Sequence, residues 1–250
     1  MFKTTAKIVK KDRLQEDTYS FILNCDLVAK EAKPGQFVNI FVEGFTLRRP
    51  ISICEIFEDS FRIVFAVRGK GTAKMAEWDV GKNVDVVGPL GKGFQKVDRD
   101  DKLLIVGGGI GTPPLLELAK RARFVRSIIG FKTKSAVILH QDFAKAGETI
   151  VCTDDGTYAQ KGLVTKFLLK SIQSGDFTRI AACGPKAMLR KIANIAKNFK
   201  IFCEISLEER MACGVGACLG CQCMMYKEGK KQSAHICKDG PVFNANEVLI

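Results

Sequence analysis

Along the first hundred residues, short apolar runs recur between polar turn segments. TTAKIVKKDRL (4–14), TYSFILNC (18–25), QFVNIFV (36–42), FRIVFAV (61–67) and NVDVVG (83–88) are short runs rich in β-branched and aromatic residues. Turn signals separate them: PG at 34–35, VGK at 80–82 and GPLGKG at 88–93. Several short strands at this spacing predict a small antiparallel barrel. After the polar stretch DRDDK the pattern changes. KLLIV, VRSIIGF, AVILH, ETIVCT, TRIAACG and IFCEISLE read as strands, and LLELAKRARF, KGLVTKFLLKSI and PKAMLRKIANIAKN as helices. Strand alternating with helix predicts a parallel sheet covered on both faces. The last forty residues hold a cysteine-rich loop, MACGVGACLGCQC (211–223), then a tail with a turn at KEGK (227–230).

Composition narrows the classes. The chain has 250 residues, 46% of them apolar, enough for two modest domains or one large one. No run of eighteen apolar residues occurs, so no membrane-spanning helix is expected. The N-terminus MFKTTAKIVKKDRLQ has charge without an apolar stretch and does not read as a signal peptide. A cytoplasmic location is expected, where ten cysteines serve as thiols or metal ligands rather than disulfides. The net charge of +12 admits nucleic acid, an anionic cofactor or an acidic partner. No dense basic tract interleaved with aromatics is present, so nucleic-acid binding is not expected.

Three stretches carry candidate chemistry. GGGIGTPP (107–114) lies between a strand and a helix, where glycines let a ligand approach the backbone and a helix start offers N–H groups to phosphate. It is not a strict dinucleotide fingerprint. Gly107, Gly109 and Gly111 alternate, with the last one place early, and the next strand ends GFKTK without a carboxylate. RRPISIC (48–54) sets Pro50 between Arg49, able to pair with phosphate, and Ser52, able to hydrogen-bond a ring edge. RGKGTAKM (68–75) places Gly69, Gly71 and Thr72 where backbone amides can hold a second phosphate. The third stretch is the cysteine loop. Cys213, Cys218 and Cys221 follow C-x4-C-x2-C, with Cys237 sixteen residues on, the plant-type spacing for a [2Fe–2S] cluster. Zinc is the rival metal, but its structural sites favour two C-x2-C knuckles, and the first gap here is four residues. Cys223 reads as a bystander. Cys25, Cys54, Cys152 and Cys203 read as core, whereas Cys183 ends a strand, where ligands collect in an open α/β sheet. No G-x-S-x-G elbow exists, and two histidines exclude a His-rich metal site; His140 reads as a structural strand end and His235 as a weaker ligand candidate than four cysteines.

In order along the chain, RRPISIC, GKGT, GPLGKGF, GGGIGTPPLLELAK, TDDG, CGPKAML and SLEERMACGVGACLGCQC resemble the ferredoxin–NADP reductase superfamily. Within it, the cysteine loop is similar to that of the electron-transfer subunits of heteromeric, NAD-linked dihydroorotate dehydrogenases. The resemblance implies an FAD-binding β-barrel (1–98), an NAD-binding α/β domain (99–202) and a [2Fe–2S] segment (203–250). Arg49, Pro50, Ile51 and Ser52 would contact the isoalloxazine and phosphate, Val64, Phe65 and Ala66 would run along the flavin, and Gly71 with Thr72 would bind pyrophosphate. The family commonly has Tyr-Arg where this chain has Phe65-Ala66, so that arginine contact is missing or is replaced by Arg68. Gly107, Gly108, Gly109 and Gly111 would bind NAD, with Cys183, Gly184 and Pro185 near the nicotinamide. Lys132 and Lys134 sit where a 2′-phosphate is read, which leaves NADP open.

NAD exchanges two electrons and the cluster one, so FAD would connect them. The implied partner is an FMN-containing catalytic subunit that oxidises dihydroorotate to orotate in pyrimidine biosynthesis, two copies of each forming a heterotetramer. Electrons would run from FMN through cluster and FAD to NAD. The alternatives are a reductase serving a hydrogenase or ferredoxin-linked complex, and a non-enzymatic metal-binding module.

Overall fold

The computed structural model describes residues 1–227 and 229–250. Strands β1 (Phe2–Gln15), β2 (Thr18–Asn24), β3 (Phe37–Ile40), β4 (Arg49–Ile56), β5 (Ser60–Ala66) and β6 (Asn83–Leu90) close into an antiparallel barrel in the order β1-β2-β5-β4-β3-β6. Helices α1 (Asp26–Glu31) and α2 (Lys70–Ala76) lie between strands. The alternating pattern buries Ile8, Phe21, Leu23, Ile40, Ile53, Phe61 and Ile63 in the interior, and Met75 and Trp78 join them from outside the strands. The five runs of the sequence reading are thus joined by a sixth strand, β4. It opens with charge and a proline rather than an alternating run, which hid it. Pro50 is accommodated opposite Asn39 of β3.

The second half contains β7 (Lys102–Gly108), α3 (Leu116–Arg121), β8 (Phe124–Phe131), α4 (His140–Ala146), β9 (Glu148–Thr153), β10 (Gln160–Lys161), α5 (Val164–Ser174), β11 (Arg179–Cys183), α6 (Lys186–Asn198) and β12 (Phe202–Ser206). β13 (Gln222–Lys227), β14 (Lys230–His235), β15 (Val242–Asn244) and β16 (Val248–Leu249) follow. The main sheet runs β10-β9-β8-β7-β11-β12-β15, parallel except for β15, and β14-β13-β16 form a small antiparallel sheet. Successive residues of β7 serve opposite faces. Leu104 and Val106 pack with Val164, Phe167 and Leu168 of α5 and Leu189 and Ile192 of α6. Leu103 and Ile105 pack with Leu116 and Leu118 of α3 and Phe143 of α4. The helical spacings 164/167/168/171 and 189/192/196 present one buried stripe each.

AVILH is not a strand. Residues 134–136 form a single 3₁₀ turn, Leu139 takes a left-handed φ of 57°, and α4 starts at His140. A short apolar run does not distinguish a strand from the buried start of a helix. His140 therefore opens a helix rather than ending a strand, and its Nδ1 lies 3.0 Å from the Tyr158 hydroxyl. Cys25 is buried but sits at the start of α1, not within a strand, while Cys54, Cys152 and Cys203 are strand core. The KEGK turn includes Glu228, which lies outside the described residues.

Charge joins the barrel to the α/β sheet. Glu55 of β4, 8% exposed, accepts hydrogen bonds from Arg62 Nη1 (2.8 Å) and Lys120 Nζ of α3 (2.9 Å). Glu117 of α3 accepts the backbone N–H of Ile56 at 2.9 Å, and Arg62 Nε donates to Ser20 at 2.7 Å. Burial alone would raise the Glu55 carboxyl, but its bonds to Arg62 and Lys120 outweigh it and hold the group below the usual range. Among the described residues no helix is long and apolar enough to cross a membrane.

Candidate functional site

The barrel half of the site is built on β4 and the 68–72 loop. Arg49 begins β4, with its guanidinium 4.9 Å from the Phe45 ring centroid. The same guanidinium lies against Gly71, where any Cβ would collide with it. Thr72 Oγ1 accepts the N–H groups of Arg68 (2.8 Å) and Gly69 (3.2 Å), which folds the loop back on the start of α2. Two of the sequence-predicted groups, Arg49 and Gly71, are therefore in contact, with Thr72 beside them. Ile51 and Ser52 pair with Val38 and Phe37 across the β3–β4 ladder. The 64–66 triplet divides. Phe65 stacks on Tyr19 and meets Phe21 edge-on in the barrel core, Val64 packs on the α/β side, and Ala66 faces the cavity described next.

A cavity of about 770 Å³ opens at the C-terminal ends of β7, β8, β9 and β11. Its size suits a small-molecule ligand, and its place is where parallel α/β sheets bind them. Gly108, Gly109, Gly111, Gly184 and Pro185 line one side, while Thr18, Ala66 and Arg68 line it from the barrel. A Cβ on Gly111 would come within 2.6 Å of the Gly184 backbone, so the two glycine loops approach only as glycines. Gly107 is set back, tight against Thr112, and Cys183 is 1% exposed behind the loop. Burial, with Glu208 nearby, drives the Cys183 thiol well above its usual range against a hydrogen bond to Ser206; the group is packing, not a nucleophile. Lys132 lines the cavity and Lys134 does not. Two groups inside quoted stretches, TDDG and SLEER, were given no role by the sequence reading. Asp154, one residue past β9, brings a carboxylate to the cavity that was sought at the end of β8. Glu208 stands at its edge; crowding by protein raises its carboxyl, and Arg68 opposes the shift.

The cysteine loop presents sulfur to a converging set of backbone donors. Cys213 Sγ accepts the N–H groups of Val215 (3.4 Å), Ala217 (3.3 Å) and Cys218 (3.3 Å). Cys237 Sγ accepts that of Gly216 at 3.1 Å, and Cys221 Sγ that of Cys237 at 3.4 Å. Gly214 and Gly216 have φ of 71° and 86°, the left-handed values that turn these amides inward. Although burial works against it, hydrogen bonds from Val215 and Cys218 lower the Cys213 thiol to about 6. Cys218 is thus tied to Cys213, and Cys237 to Cys221, each through a backbone N–H on the partner's sulfur. Among the described residues no three His, Cys, Asp or Glu gather around one point, as a single zinc ion needs. Two pairs with amide donors fit a two-iron cluster, two thiolates to each iron. Cys223 instead packs against the α/β core from β13, and burial with the nearby Asp239 carboxylate pushes its thiol to about 11. His235 Nδ1 lies 3.8 Å from Asp239.

Residues 208–249 match the family model described as the iron-sulfur cluster binding domain of dihydroorotate dehydrogenase B. Over 249 residues the chain is 44% identical to the dihydroorotate dehydrogenase B (NAD(+)) electron transfer subunit of Geobacillus kaustophilus (strain HTA426), covering 95% of each. It belongs to this family of electron transfer subunits. The subunit of that name from Bacillus mycoides (strain KBAB4) is 42% identical over 262 residues, covering 100% of both chains. The solved NADH-dependent reduced ferredoxin-NADP oxidoreductase is similar with a TM-score of 0.88 and 30% identity, over 99% of this chain and 90% of that one. A ferredoxin NADP+ reductase from Neisseria gonorrhoeae, solved with bound FAD and NADP, gives 0.63 and 16% over 83% and 93%, a likeness of fold. Membership of the dihydroorotate dehydrogenase B family sets aside the reading as a non-enzymatic metal-binding module.

Proposed function

We propose that this chain carries electrons between a dihydroorotate-oxidising partner and NAD. When bound, FAD exchanges electron pairs with NAD and single electrons with a [2Fe–2S] cluster. The barrel, residues 1–98, holds FAD. Arg49 pairs with its phosphate, Pro50, Ile51 and Ser52 border the ring, Val64, Phe65 and Ala66 support it, and Gly71 with Thr72 takes the pyrophosphate. Residues 99–202 hold NAD in the cavity through Gly108, Gly109 and Gly111, with Gly107 forming the turn behind them, and Gly184 and Pro185, backed by Cys183, shape the nicotinamide end. Residues 203–250 hold the cluster through Cys213, Cys218, Cys221 and Cys237. The partner is an FMN-containing catalytic subunit, two of each forming a heterotetramer in the cytoplasm that serves pyrimidine biosynthesis.

The observation that carries this reading is the meeting of the three sites. Ala66 and Arg68 of the barrel line the same cavity as the glycine loop. On the other side, Asn39, which pairs with Pro50, donates to the carbonyl of Cys213 at 3.1 Å. Electron transfer needs such proximity. The test is to purify the chain anaerobically, assay NADH oxidation with an artificial acceptor, and add the catalytic subunit. The chain alone oxidises NADH but not dihydroorotate, and the mixture gains NAD-dependent dihydroorotate oxidation. A second reading, service to a ferredoxin-linked complex, draws on the 30% identity to the ferredoxin-NADP oxidoreductase. It takes precedence if the mixture stays inactive while reduced ferredoxin is a substrate.

A further inference from the structure

Asn39 is 1% exposed, in a strand whose neighbours Val38 and Ile40 are buried apolar residues. Its Nδ2 donates to the Cys213 carbonyl at 3.1 Å, while its Oδ1 is buried with no partner. Gly214, next along the loop, lies so close to this amide that a Cβ there would collide with Nδ2. Among the described residues, this is the hydrogen bond that ties residues 208–221 to the barrel. The backbone of Asn39 is itself held, its carbonyl accepting from Arg48 Nη1 at 3.3 Å, and Arg48 Nη1 reaches Asp85 Oδ1 at 2.8 Å. A buried amide with an orphaned acceptor is a liability that an apolar residue would remove from a barrel strand. Its presence is accounted for by what the donor end holds.

We propose that Asn39 is a positioning residue that fixes the cluster-ligating loop against the flavin strand. This rests on the reading that β4 borders FAD and the cysteine loop binds the cluster. Nothing ligates through Asn39. It holds the carbonyl of the first cysteine while the Sγ of that residue takes its three backbone N–H bonds. Without the donor, the loop keeps its cysteines but loses its registration on the barrel, so residues 213–218 open more often and cluster and flavin are no longer held at one separation.

The test compares the parent with Asn39→Val, which removes the amide, and Asn39→Gln, which keeps a donor one methylene further out. Hydrogen exchange is followed at the amides of residues 215–218, with and without reconstituted cluster, and the rate at which NADH reduces the cluster is measured by stopped-flow absorbance. In Asn39→Val, exchange at 215–218 should rise about tenfold or more while the rest of the barrel keeps its protection. FAD content and flavin reduction by NADH should match the parent, and cluster reduction should slow. Asn39→Gln should fall between the two. Parental exchange and parental cluster reduction in Asn39→Val overturn the proposal. If Asn39→Val loses protection throughout the barrel, Asn39→Ala, which removes the amide without adding bulk or charge, is judged by the same criteria. A parent chain that takes up neither FAD nor cluster would instead contradict the functional reading.

Discussion

Glu55→Gln tests whether the ionic joint between barrel and α/β sheet holds the two halves of the site together. In the parent, the Glu55 carboxylate meets Arg62 at 2.8 Å and Lys120 at 2.9 Å while 8% exposed. Removing one partner of a buried ion pair costs about 3–5 kcal/mol. The lower end applies here. Arg62 keeps Asp142 at 3.5 Å and Ser20 at 2.7 Å, and the Lys120 side chain, 41% exposed, can turn to water. For a chain of this size each kcal/mol moves the midpoint by about 2–4 °C, so the expected fall in Tm is about 6–12 °C for a loss of about 3 kcal/mol. Differential scanning calorimetry at neutral pH measures it, with cofactor content matched between proteins. A fall below about 2 °C would refute the reasoning, because it would mean that the joint contributes no more than a surface ion pair. The double variant Glu55→Leu/Arg62→Met should be more stable than Glu55→Gln, since it also removes the mostly buried guanidinium that Glu55→Gln deprives of its nearer carboxylate. The pH dependence has a definite sign. The Glu55 carboxyl is lower in the folded state, so its contribution is complete above the ordinary carboxylate range and is lost as pH falls through the folded value. Glu55→Gln should flatten that acid limb.

Serine at Cys213, Cys218, Cys221 or Cys237 should abolish the visible absorbance of the [2Fe–2S] cluster, whereas Cys223→Ser should keep it. Full absorbance in Cys237→Ser, or its loss in Cys223→Ser alone, would contradict the ligand set. Arg49→Ala removes a charge-assisted contact worth about 1.5–3 kcal/mol, so FAD affinity should fall about ten- to a hundredfold in a fluorescence titration, and parental affinity would count against it. Gly111→Val should drive the two glycine loops apart and weaken NADH binding without lowering FAD content, as equilibrium dialysis of both ligands can show.

What the sequence disclosed followed from period and spacing. β1, β2, β5 and β6 are rich in β-branched and aromatic residues between turn signals, and α5 and α6 carry single buried stripes, so their positions were readable. β4 was not, because it opens with Arg49 and Pro50, a charge and a proline that do not read as the start of a strand. The short helices α1, α2 and α4 have six or seven residues each, too few for a helical period to show. The cysteine spacing was legible because it is a local property of the chain. Asn39 and Glu208 were not, because each becomes significant only through what tertiary folding brings opposite it: the Cys213 carbonyl in one case, the cavity and Arg68 in the other. Asp154 shows the same limit, since register across parallel strands decides which strand end meets the ligand.

The antiparallel pairing of β15 with β12 governs how this molecule can be dissected. Glu204, Ile205 and Ser206 pair with Asn244, Phe243 and Val242, and Leu207 N–H donates to the Pro241 carbonyl at 2.9 Å. The polypeptide leaves the sheet to form the cysteine loop and hairpin, then returns to seal the sheet's flank. Cutting off the metal-binding tail would therefore strip β12 of its neighbour and bare a hydrogen-bonding edge beside Ile205 and Cys203, a template for aggregation. A cluster-free flavoprotein is better obtained by cysteine substitution than by truncation. For engineering, the iron–sulfur segment and the α/β sheet are best handled as one folding unit, because the returning strand completes that sheet.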